Sequence, residues 1–337
     1  MTETRSHPAV PPDAIAVIGA GIAGLTAART LVAADRTVVV FDKGRGVGGR
    51  LSTRRTEHGP FDHGAQYFTA RDPDFRGAVD GWTAAGVVAR WTGRVVRLSA
   101  GGPAEPDGAE RHVGVPGMSA LPRHLAGGLA DVRTGVRIDR IDGAPGAWRL
   151  VAEDGSEAGP FAAVLVTVPS PQARPLLAPV APSLAASAAA APMAPCWAVM
   201  IAFESPVETG FDAAFVTGGP LSWIARDGSK PRRPAGERWV LHGSPDWSTS
   251  VIEASADDVI RDLSTAFAGV AGPLPGVVQA AAHRWRFALP TAGVAEGCAF
   301  DAERGIGIAG DWCAGARVEG AWVSGLRLAR ALEAAGR

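Results

Sequence analysis

The sequence has no excess of charge of either sign, and it contains almost no lysine. Over 337 residues the formal net charge is -1 and the isoelectric point is near 6.7. A chain so close to neutrality is not expected to have nucleic acid or an anionic membrane as its main partner. Lys43 and Lys230 are its two lysines, against 31 arginines. This bias is typical of a GC-rich genome, and it leaves few positions for chemistry that needs a lysine.

Cysteines and uninterrupted apolar runs are also scarce. Cys196, Cys298 and Cys313 are odd in number and far apart, which argues against a disulfide framework or a metal site. Prolines and serines break the alanine-rich stretch 181–200, so we expect a short helix leading into a strand there, not a membrane span. Residues 1–14 are polar and proline-rich, unlike a secretory signal peptide. These features predict a cytoplasmic protein.

What the sequence does contain begins with a βαβ pattern. An apolar run at 14–18 is followed by a glycine-rich turn, a helical segment at 22–34 and a second apolar run at 37–41. Later apolar runs predict an antiparallel sheet interrupted by a helix near residues 255–269; they lie at 196–203, 221–226, 238–243 and 277–287.

The length favours two domains, and an apolar content of 47% is enough for a large core. We predict an α/β fold in which a Rossmann-type dinucleotide-binding domain carries an inserted α+β substrate domain built on an antiparallel sheet. The first domain is assigned residues 1–74, 114–175 and 296–337, and the second is assigned residues 75–113 and 176–295.

Gly19, Gly21 and Gly24 form the pattern G-x-G-x-x-G directly after the first predicted strand. In a Rossmann turn the first glycine permits the tight turn, and the second lets a pyrophosphate approach the backbone. The third lets the helix pack on the strand, and the helix N-terminus faces the phosphates. Asp42 ends the next strand, where it would accept hydrogen bonds from a ribose diol. The pattern therefore predicts a bound dinucleotide.

The segment after Asp42 narrows the choice of nucleotide. GRGVGGR, residues 44–50, resembles the second signature of the two-domain FAD family that includes monoamine oxidases, phytoene desaturases and Rab GDP-dissociation inhibitors. By this resemblance the glycines turn beside the pyrophosphate and Arg50 faces the phosphates. We place Lys43, Gly49 and Arg50 among the cofactor-binding residues.

The middle and the end of the chain carry further parts of this resemblance. IAGDWCAGARVEGAW, residues 308–322, resembles the C-terminal motif of the family. It implies that Asp311 accepts a bond from a ribityl hydroxyl, and that the helix N-terminus from Val318 to Ala321 points N–H groups at the flavin. The segment VRIDRI implies a backbone contact with adenine near Ile138. The implied cofactor is FAD, bound without a covalent link.

Two departures separate the chain from the amine oxidases of that family. Their lysine near flavin N5 is missing from the corresponding strand, APCWAVMIAF at 194–203, and Lys230 lies in a polar stretch. The tyrosine expected before the E-G-A turn is replaced by Arg317, and Tyr67 is the one tyrosine of the sequence. An arginine facing the flavin would repel an ammonium and favour an anion or an electron-rich carbonyl.

The chain closely resembles the renalases, particularly the bacterial ones. The segments that carry it lie at 61–75, 113–126, 241–248, 283–290 and 310–322. Renalases oxidise the 2- and 6-dihydro isomers of NAD(P) to NAD(P)+ and pass the electrons to O2. The resemblance thus implies a small-molecule dinucleotide substrate and O2 as the acceptor.

The substrate-site candidates are Gln66, Tyr67, His242, Trp285 and Arg317, since a dihydropyridine needs a flat, dry site and no general base. Each has a simpler interpretation. The aromatic residues could be ordinary core residues, and His242 could be a strand histidine whose hydrogen bonds are all made within the protein. His63 could do no more than hold its loop in place. The arginines at 226, 232, 233 and 238 could hold substrate phosphates, although a solvated loop is the simpler interpretation.

Two other functions stay open from the sequence. One is a flavin amine oxidase or desaturase of the same superfamily. The other is a binding protein without enzymatic activity, similar to GDP-dissociation inhibitors, that has kept the fold and lost the flavin. The complete glycine motif, with Asp42, Arg50 and Asp311, argues against the second.

Overall fold

The chain folds around two large β-sheets. The computed structural model describes residues 10–99, 104–293 and 297–336. The strands, in chain order, are β1 (Ile15–Ile18), β2 (Val38–Asp42), β3 (Thr53–Thr56), β4 (Gly59–Asp62), β5 (Val88–Trp91), β6 (Val95–Leu98), β7 (Glu105–Pro106), β8 (Arg111–Gly114), β9 (Asp131–Thr134), β10 (Ile138–Ala144), β11 (Ala147–Ala152), β12 (Glu157–Phe161), β13 (Ala163–Val166), β14 (Met193–Phe203), β15 (Ala213–Val216), β16 (Leu221–Arg226), β17 (Glu237–Gly243), β18 (Val277–Pro290), β19 (Ala299–Asp301) and β20 (Ile306–Ile308). The α-helices are α1 (Ile22–Val32), α2 (Pro73–Ala84), α3 (Ala120–Ala126), α4 (Ser170–Leu177), α5 (Pro182–Ala189), α6 (Pro245–Ser250), α7 (Ala256–Ala271), α8 (Asp311–Ala314) and α9 (Val318–Ala334), and a 3₁₀ turn covers Asp227–Ser229.

The first sheet has six strands in the order β19-β20-β13-β1-β2-β9. Its neighbours pair in parallel, except for β19, which pairs antiparallel with β20 at the edge. Helices α1 and α9 contribute to the core on one face, and α4 and α5 contribute to the core on the other. Coverage of both faces explains why the central strands read as uninterrupted apolar runs.

Helix α9, from the end of the chain, packs closely on α1 from its beginning. A Cβ atom added at Gly325 would lie 2.8 Å from the carbonyl carbon of Ala23, so only glycine allows this approach. Both helices follow a strand of the parallel sheet. Their N-termini therefore lie at the carboxyl ends of β1 and β20, which is where sheets of this kind bind ligands.

The second sheet has seven strands in the order β18-β14-β17-β16-β15-β6-β7. The described pairs are antiparallel, apart from β15 and β6, which run parallel. Helix α7 packs on one face, where Val259, Leu263 and Phe267 join a core with Trp197 and Val199. The other face meets the segment after β4, where the carbonyl of His63 contacts Trp285 and His242.

The predicted fold class is confirmed, and so are most of the predicted elements. The βαβ unit, the helix near 255–269 and the four long strands of the antiparallel sheet all form. The β3–β4 hairpin and the short strands β9, β12 and β15 were not predicted. The segment 61–75 contains the end of β4 and the start of α2. The domain limits stay a prediction.

Some predictions concern residues that the structure does not describe. Residues 1–9 of the leading segment, residues 100–103 of the predicted substrate domain and residues 294–296 near a domain limit lie outside the described residues. Among the helices that are described, none has the length and apolar character that crossing a membrane requires.

Candidate active site

The glycine turn after β1 has the three properties predicted from its spacing. Gly19 has a φ of 111°, a conformation that favours glycine. A Cβ atom added at Gly24 would lie 2.5 Å from Oγ1 of Thr167, and closer still to the carbonyl oxygen of Gly19. At Gly21 an added Cβ would find no heavy atom of the described residues within 4 Å. The turn is therefore open at Gly21, where a phosphate is expected to approach the backbone.

Asp42 ends β2 and is directed at this turn. Its Oδ2 accepts a hydrogen bond from the backbone N–H of Ala20, and its Oδ1 accepts one from Gly44, both at 2.6 Å. Burial raises the pKa of Asp42, against the effect of these two bonds. Each carboxylate oxygen can accept a second bond, so the predicted bonds to a ribose diol are compatible with this geometry. Lys43 follows and is exposed; its role at the cofactor stays a prediction.

Ile138 begins β10 in a buried position near the same turn. The chain leading to it is tied down because the N–H groups of Gly135 and Val136 donate to the carbonyls of Gly44 and Asp42, at 2.7 and 2.9 Å. The backbone at Ile138 is thereby fixed beside Asp42. Its contact with adenine stays a prediction.

Arg50 and Asp311 meet, although 261 positions separate them in the chain. The guanidinium donates two hydrogen bonds to the carboxylate, both of 2.7 Å, and a third of 2.8 Å to the carbonyl of Ala288. Gly49, just before Arg50, has a φ of 53°, and an added Cβ there would contact none of the described residues. The two motifs predicted to hold the cofactor are therefore joined directly by a bidentate ion pair.

Helix α9 begins at Val318, with Arg317 as its N-cap residue. The Glu319 side chain is buried and accepts hydrogen bonds from the N–H groups of Arg71 and Asp72, at 2.5 and 2.7 Å. Ala321 donates its N–H to the carbonyl of Arg317 at 3.1 Å. The Arg317 side chain is 48% exposed and lies 3.5 Å from Glu319. The helix start is thus well fixed, while the predicted role of Arg317 toward a substrate stays a prediction.

The residues gathered here fit an FAD molecule. The open backbone at Gly21 suits a pyrophosphate, Asp42 suits a ribose, and the N-terminus of α9 supplies a positive dipole end. These features come from both ends of the chain and meet at the carboxyl ends of β1, β2 and β20.

Four rings meet where the loop after β4 passes over the second sheet; His63, His242, His283 and Trp285 are called the ring cluster below. His63 stacks on Trp285 with centroids 5.2 Å apart, and it meets His283 edge-on at 4.9 Å. The carbonyl oxygen of His63 accepts a hydrogen bond from Nε1 of Trp285 at 2.9 Å and lies 3.3 Å from Nε2 of His242. Two predicted substrate-site residues, His242 and Trp285, are therefore brought together by His63.

The histidines of the ring cluster are held in the neutral form. Burial, together with His283 and Arg54, lowers the pKa of His63 to about 4. Burial also lowers the pKa of His242 to about 4, with a smaller contribution from Lys230. Since Nε2 of His242 lies at a carbonyl acceptor, that nitrogen carries the proton.

Trp223 shares a sheet face with the ring cluster. It pairs directly with His242 across β16 and β17, and Ala198 pairs with both His242 and His283. Side chains of directly paired residues point to the same face of a sheet. The indole N–H of Trp223 is buried without a partner among the described residues, and its ring lies 5.2 Å from that of Tyr67. Tyr67 thus reaches the edge of the ring cluster through Trp223.

Lys230 does not lie in a solvated loop, as its polar surroundings in the sequence suggested. It forms a buried ion cluster with Asp62, Asp227 and Arg233, whose side chains all have 0% exposure. Nζ lies 2.7 Å from Oδ1 of Asp227 and 3.3 Å from Oδ2 of Asp62, which also accepts a 2.5 Å bond from Arg233. Burial raises the pKa of Asp62, but the two cations outweigh burial and lower it overall.

Gln66 is engaged by its own loop. Its Nε2 donates to the carbonyls of Asp62 and Gly64, and its Oε1 accepts a 3.1 Å hydrogen bond from Lys230. The side chain is buried. The amide of Gln66 therefore braces the loop that carries His63, and its predicted contact with the substrate stays a prediction.

The solvated-loop interpretation of the four arginines is wrong for three of them. Arg226 donates to Glu237 at 3.1 Å, Arg233 belongs to the buried ion cluster, and Arg238 is 1% exposed and donates to backbone carbonyls. Arg232 is exposed. A cleft of about 490 Å³ does open beside Arg226, but Glu204, Asp212 and Glu237 also line it. These carboxylates disfavour a phosphate there.

Sequence reasoning missed Trp223, His283 and the buried role of Lys230. His283 had a usable signal, because it lies two positions before Trp285 on a strand and therefore points to the same face. The position of Trp223 depends on the register between β16 and β17. The position of Lys230 depends on contacts with Asp62 and Gln66, more than 160 residues away.

Comparison with known proteins agrees with this geometry. Residues 17–82 match the model of an NAD(P)-binding Rossmann-like domain, and residues 96–332 match that of the flavin containing amine oxidoreductases. The chain belongs to the flavin containing amine oxidoreductase family. That family consists of flavin-containing oxidoreductases, and the predicted cofactor, non-covalently bound FAD, is confirmed. The superfamily inferred from the glycine and arginine motifs is confirmed as well, which disfavours the flavin-free binding protein.

Curated proteins and solved structures are similar to the chain. The putrescine oxidase of Kocuria rosea is 40% identical over 83 residues, which span 24% of this chain and 17% of that protein. A structure from Exiguobacterium sp. 255-15, described as a protoporphyrinogen oxidase, superposes with a TM-score of 0.78 at 15% identity, over 96% of this chain and 99% of that one. The cyclohexylamine oxidase of Brevibacterium oxydans IH-35A gives a TM-score of 0.76 at 14% identity, over 97% and 100%. At these identities the structures support the fold.

Proposed function

We propose that the chain oxidises the 2- and 6-dihydro isomers of NAD(P) to NAD(P)+, with O2 as electron acceptor and hydrogen peroxide as the second product. The observation that carries the proposal is the ring cluster. Its stacked pair, His63 and Trp285, and the neighbouring Trp223 offer uncharged planar groups to a planar ring. A dihydropyridine is such a ring, and it gains aromaticity when it loses a hydride.

The charges around the ring cluster also favour this substrate over an amine. Arg54 acts on both His63 and His283, and Lys230 acts on His242; in each case the cation lowers the pKa of the imidazole. The nearby carboxylate of Asp62 is already paired with Lys230 and Arg233. An alkylammonium would enter a site of the same charge sign, whereas a neutral dihydropyridine attached to phosphates would not.

Each group of the site then has a limited task. When bound, the flavin supplies a two-electron acceptor and a route for the electrons to O2. His63 and Trp285 orient the substrate ring through their flat faces. His242 donates from Nε2 to the His63 carbonyl and so holds the loop, without acting as a base. The unpartnered N–H of Trp223 is available to a carbonyl oxygen of the substrate.

Amine oxidation is the second candidate, favoured by the family and by the similar structures. These include putrescine oxidase bound to putrescine, with a TM-score of 0.72 at 14% identity, and cyclohexylamine oxidase. Arg317, in place of the tyrosine implied by the resemblance to amine oxidases, weighs against it, as does the absence of lysine from β14.

Anaerobic stopped-flow measurement of the visible flavin band separates the two candidates. The purified protein is mixed with NADH that has been isomerised to contain the 2- and 6-dihydro forms. It is mixed separately with pure 4-dihydro NADH, putrescine and cyclohexylamine. We expect rapid bleaching by the isomers alone, and return of the colour with stoichiometric hydrogen peroxide when O2 is admitted. Bleaching by an amine, or by none of these compounds, overturns the proposal and leaves the family assignment intact.

A further inference from the structure

The ammonium group of Lys230 donates all three of its protons in hydrogen bonds. Its Nζ has three acceptors on three different residues: Oδ1 of Asp227 at 2.7 Å, Oε1 of Gln66 at 3.1 Å and Oδ2 of Asp62 at 3.3 Å. An ammonium group has three donors, so the group is fully satisfied although its side chain has 0% exposure. A buried charge is tolerated only when it is paired and hydrogen-bonded in this way.

The choice of lysine here is informative because arginine serves nearly everywhere else. Of the 33 basic residues, 31 are arginines, and at Arg50 the planar guanidinium forms a two-bond fork with a carboxylate. A guanidinium is a rigid planar fork, whereas an ammonium is a compact point charge. Three acceptors grouped around one nitrogen require the compact ammonium. Position 230 is therefore occupied by lysine, despite the general bias toward arginine, because its three acceptors suit an ammonium group.

The loop held by Lys230 connects the two halves of the candidate active site. Gln66 accepts from Lys230 and donates to the carbonyls of Asp62 and Gly64, which flank His63. On the other side, Ala65 donates its N–H to the carbonyl of Arg50 at 2.9 Å. Residues 62–66 thus touch the buried ion cluster, the ring cluster and the cofactor-binding motif at once.

We propose that Lys230 is a positioning residue: it fixes loop 62–66 through Gln66 and Asp62, and thereby sets the spacing between the ring cluster and the Arg50–Asp311 pair. The proposal rests on the placement of the flavin and the ring cluster, and it does not require a dihydro-NAD(P) substrate. The buried ion cluster contains two anions and two cations, so it adds no net charge beneath the loop. Buried ion pairs of this kind contribute little net stability, which fits a role in geometry.

The test uses Lys230→Arg in the FAD-loaded protein, with Arg36→Lys as the matched control. Arg36 forms a 2.8 Å ion pair with Glu333, away from the loop, so the control exchanges the same two cations elsewhere. The readouts are far-UV circular dichroism, visible circular dichroism of the bound flavin, and kcat and KM with whichever reductant bleaches the unmodified protein. We expect Lys230→Arg to keep its far-UV spectrum, to change the visible spectrum and to lower kcat by about 10²-fold, because small displacements in a site cost that much. KM should change far less, and the control should match the unmodified protein in all readouts.

An unchanged visible spectrum and kcat in folded Lys230→Arg overturn the proposal. If that variant does not fold, the double variant Lys230→Met/Asp227→Asn decides, since it removes one charge of each sign and leaves Asp62 paired with Arg233. A changed visible spectrum and a low kcat in the double variant support positioning, because Gln66 has lost its donor. Restored values show that Lys230 only balances charge, and this also overturns the proposal. The visible spectrum requires no substrate, so failure of the dihydro-NAD(P) hypothesis leaves this test intact.

Discussion

Alanine substitution at two glycines of the same turn should separate packing from cofactor binding. At Gly24 the new Cβ would lie 2.5 Å from Oγ1 of Thr167 and closer still to a backbone carbonyl, so the helix and strand must move apart. At Gly21 the backbone has φ −73° and ψ 177°, which alanine adopts without strain, and no described heavy atom lies within 4 Å of the new Cβ. We therefore expect Gly24→Ala to affect folding and Gly21→Ala to affect FAD binding.

The structure sets the size of each effect. Overpacking of a tight interior position costs about 1–3 kcal/mol, so Gly24→Ala should lower the melting temperature of the apoprotein by several degrees. A hydrogen bond between a backbone N–H and a phosphate is worth about 1.5–3 kcal/mol. If the Cβ at Gly21 holds the phosphate away from the turn, the dissociation constant for FAD should rise by about 10- to 100-fold.

Calorimetry of the two apoproteins and fluorescence titration with FAD measure these quantities side by side. The expected pattern is crossed, with a stability loss at Gly24 and an affinity loss at Gly21. Gly21→Ala that binds FAD as tightly as the unmodified protein would show that the open side of the turn does not face the pyrophosphate. An apoprotein with Gly24→Ala that melts at an unchanged temperature would show that the close helix–strand contact is not required.

Three further predictions concern the ring cluster and the start of α9. Trp285→Phe removes the 2.9 Å hydrogen bond to the His63 carbonyl and should lower kcat/KM by about 3- to 10-fold. The control, Trp197→Phe, removes a similar 3.1 Å indole hydrogen bond on the opposite face of the sheet and should leave kcat/KM unchanged. Equal effects of the two substitutions would contradict the assignment of the site to this face. The pKa of His63 is about 4 in the folded chain and 6.5 as its ordinary value, so the unfolded chain binds more protons between these values. Stability should therefore fall by up to roughly 3 kcal/mol as the pH drops through that window, and thermal melting of His63→Asn should show a smaller slope with pH. Glu319→Ala leaves two backbone N–H groups without their acceptor, so it should lower the free energy of unfolding of the apoprotein by on the order of 3 kcal/mol. Urea denaturation measures this change. An unchanged denaturation midpoint would show that water replaces the carboxylate.

The geometry of the glycine turn could be predicted because it depends on residues that lie close together in the chain. Gly19, Gly21 and Gly24 have fixed roles in one turn, and Asp42 follows at the end of the next strand, so their chemistry depends on spacing along the chain. Arg50 and Asp311 were each assigned to the cofactor by resemblance. Their direct pairing could not be foreseen, because it depends on how the first and last segments of the chain pack together.

The substrate half was harder because its residues meet through strand register and loop packing. His242 and Trp285 were candidates by resemblance, whereas Trp223 joins them only through its pairing with His242. A shift of one residue in that register would have turned Trp223 to the other face of the sheet. The contacts of Gln66 show the same difficulty, since its hydrogen bond with Lys230 joins residues 164 positions apart in the chain.

The distribution of charge links the two halves of the site. Arg50 is paired with Asp311 and Arg233 with Asp62, whereas Lys230, although it is also paired, still contributes to the lowered pKa of His242. Arg54 has no carboxylate partner among the described residues, and it lies near enough to His63 and His283 to lower the pKa of both. The surroundings of the neutral ring cluster are therefore weakly cationic. We therefore expect such a site to tolerate a neutral ring that carries phosphates and to disfavour an ammonium, so charge alone would discriminate against amines without any clash of shape.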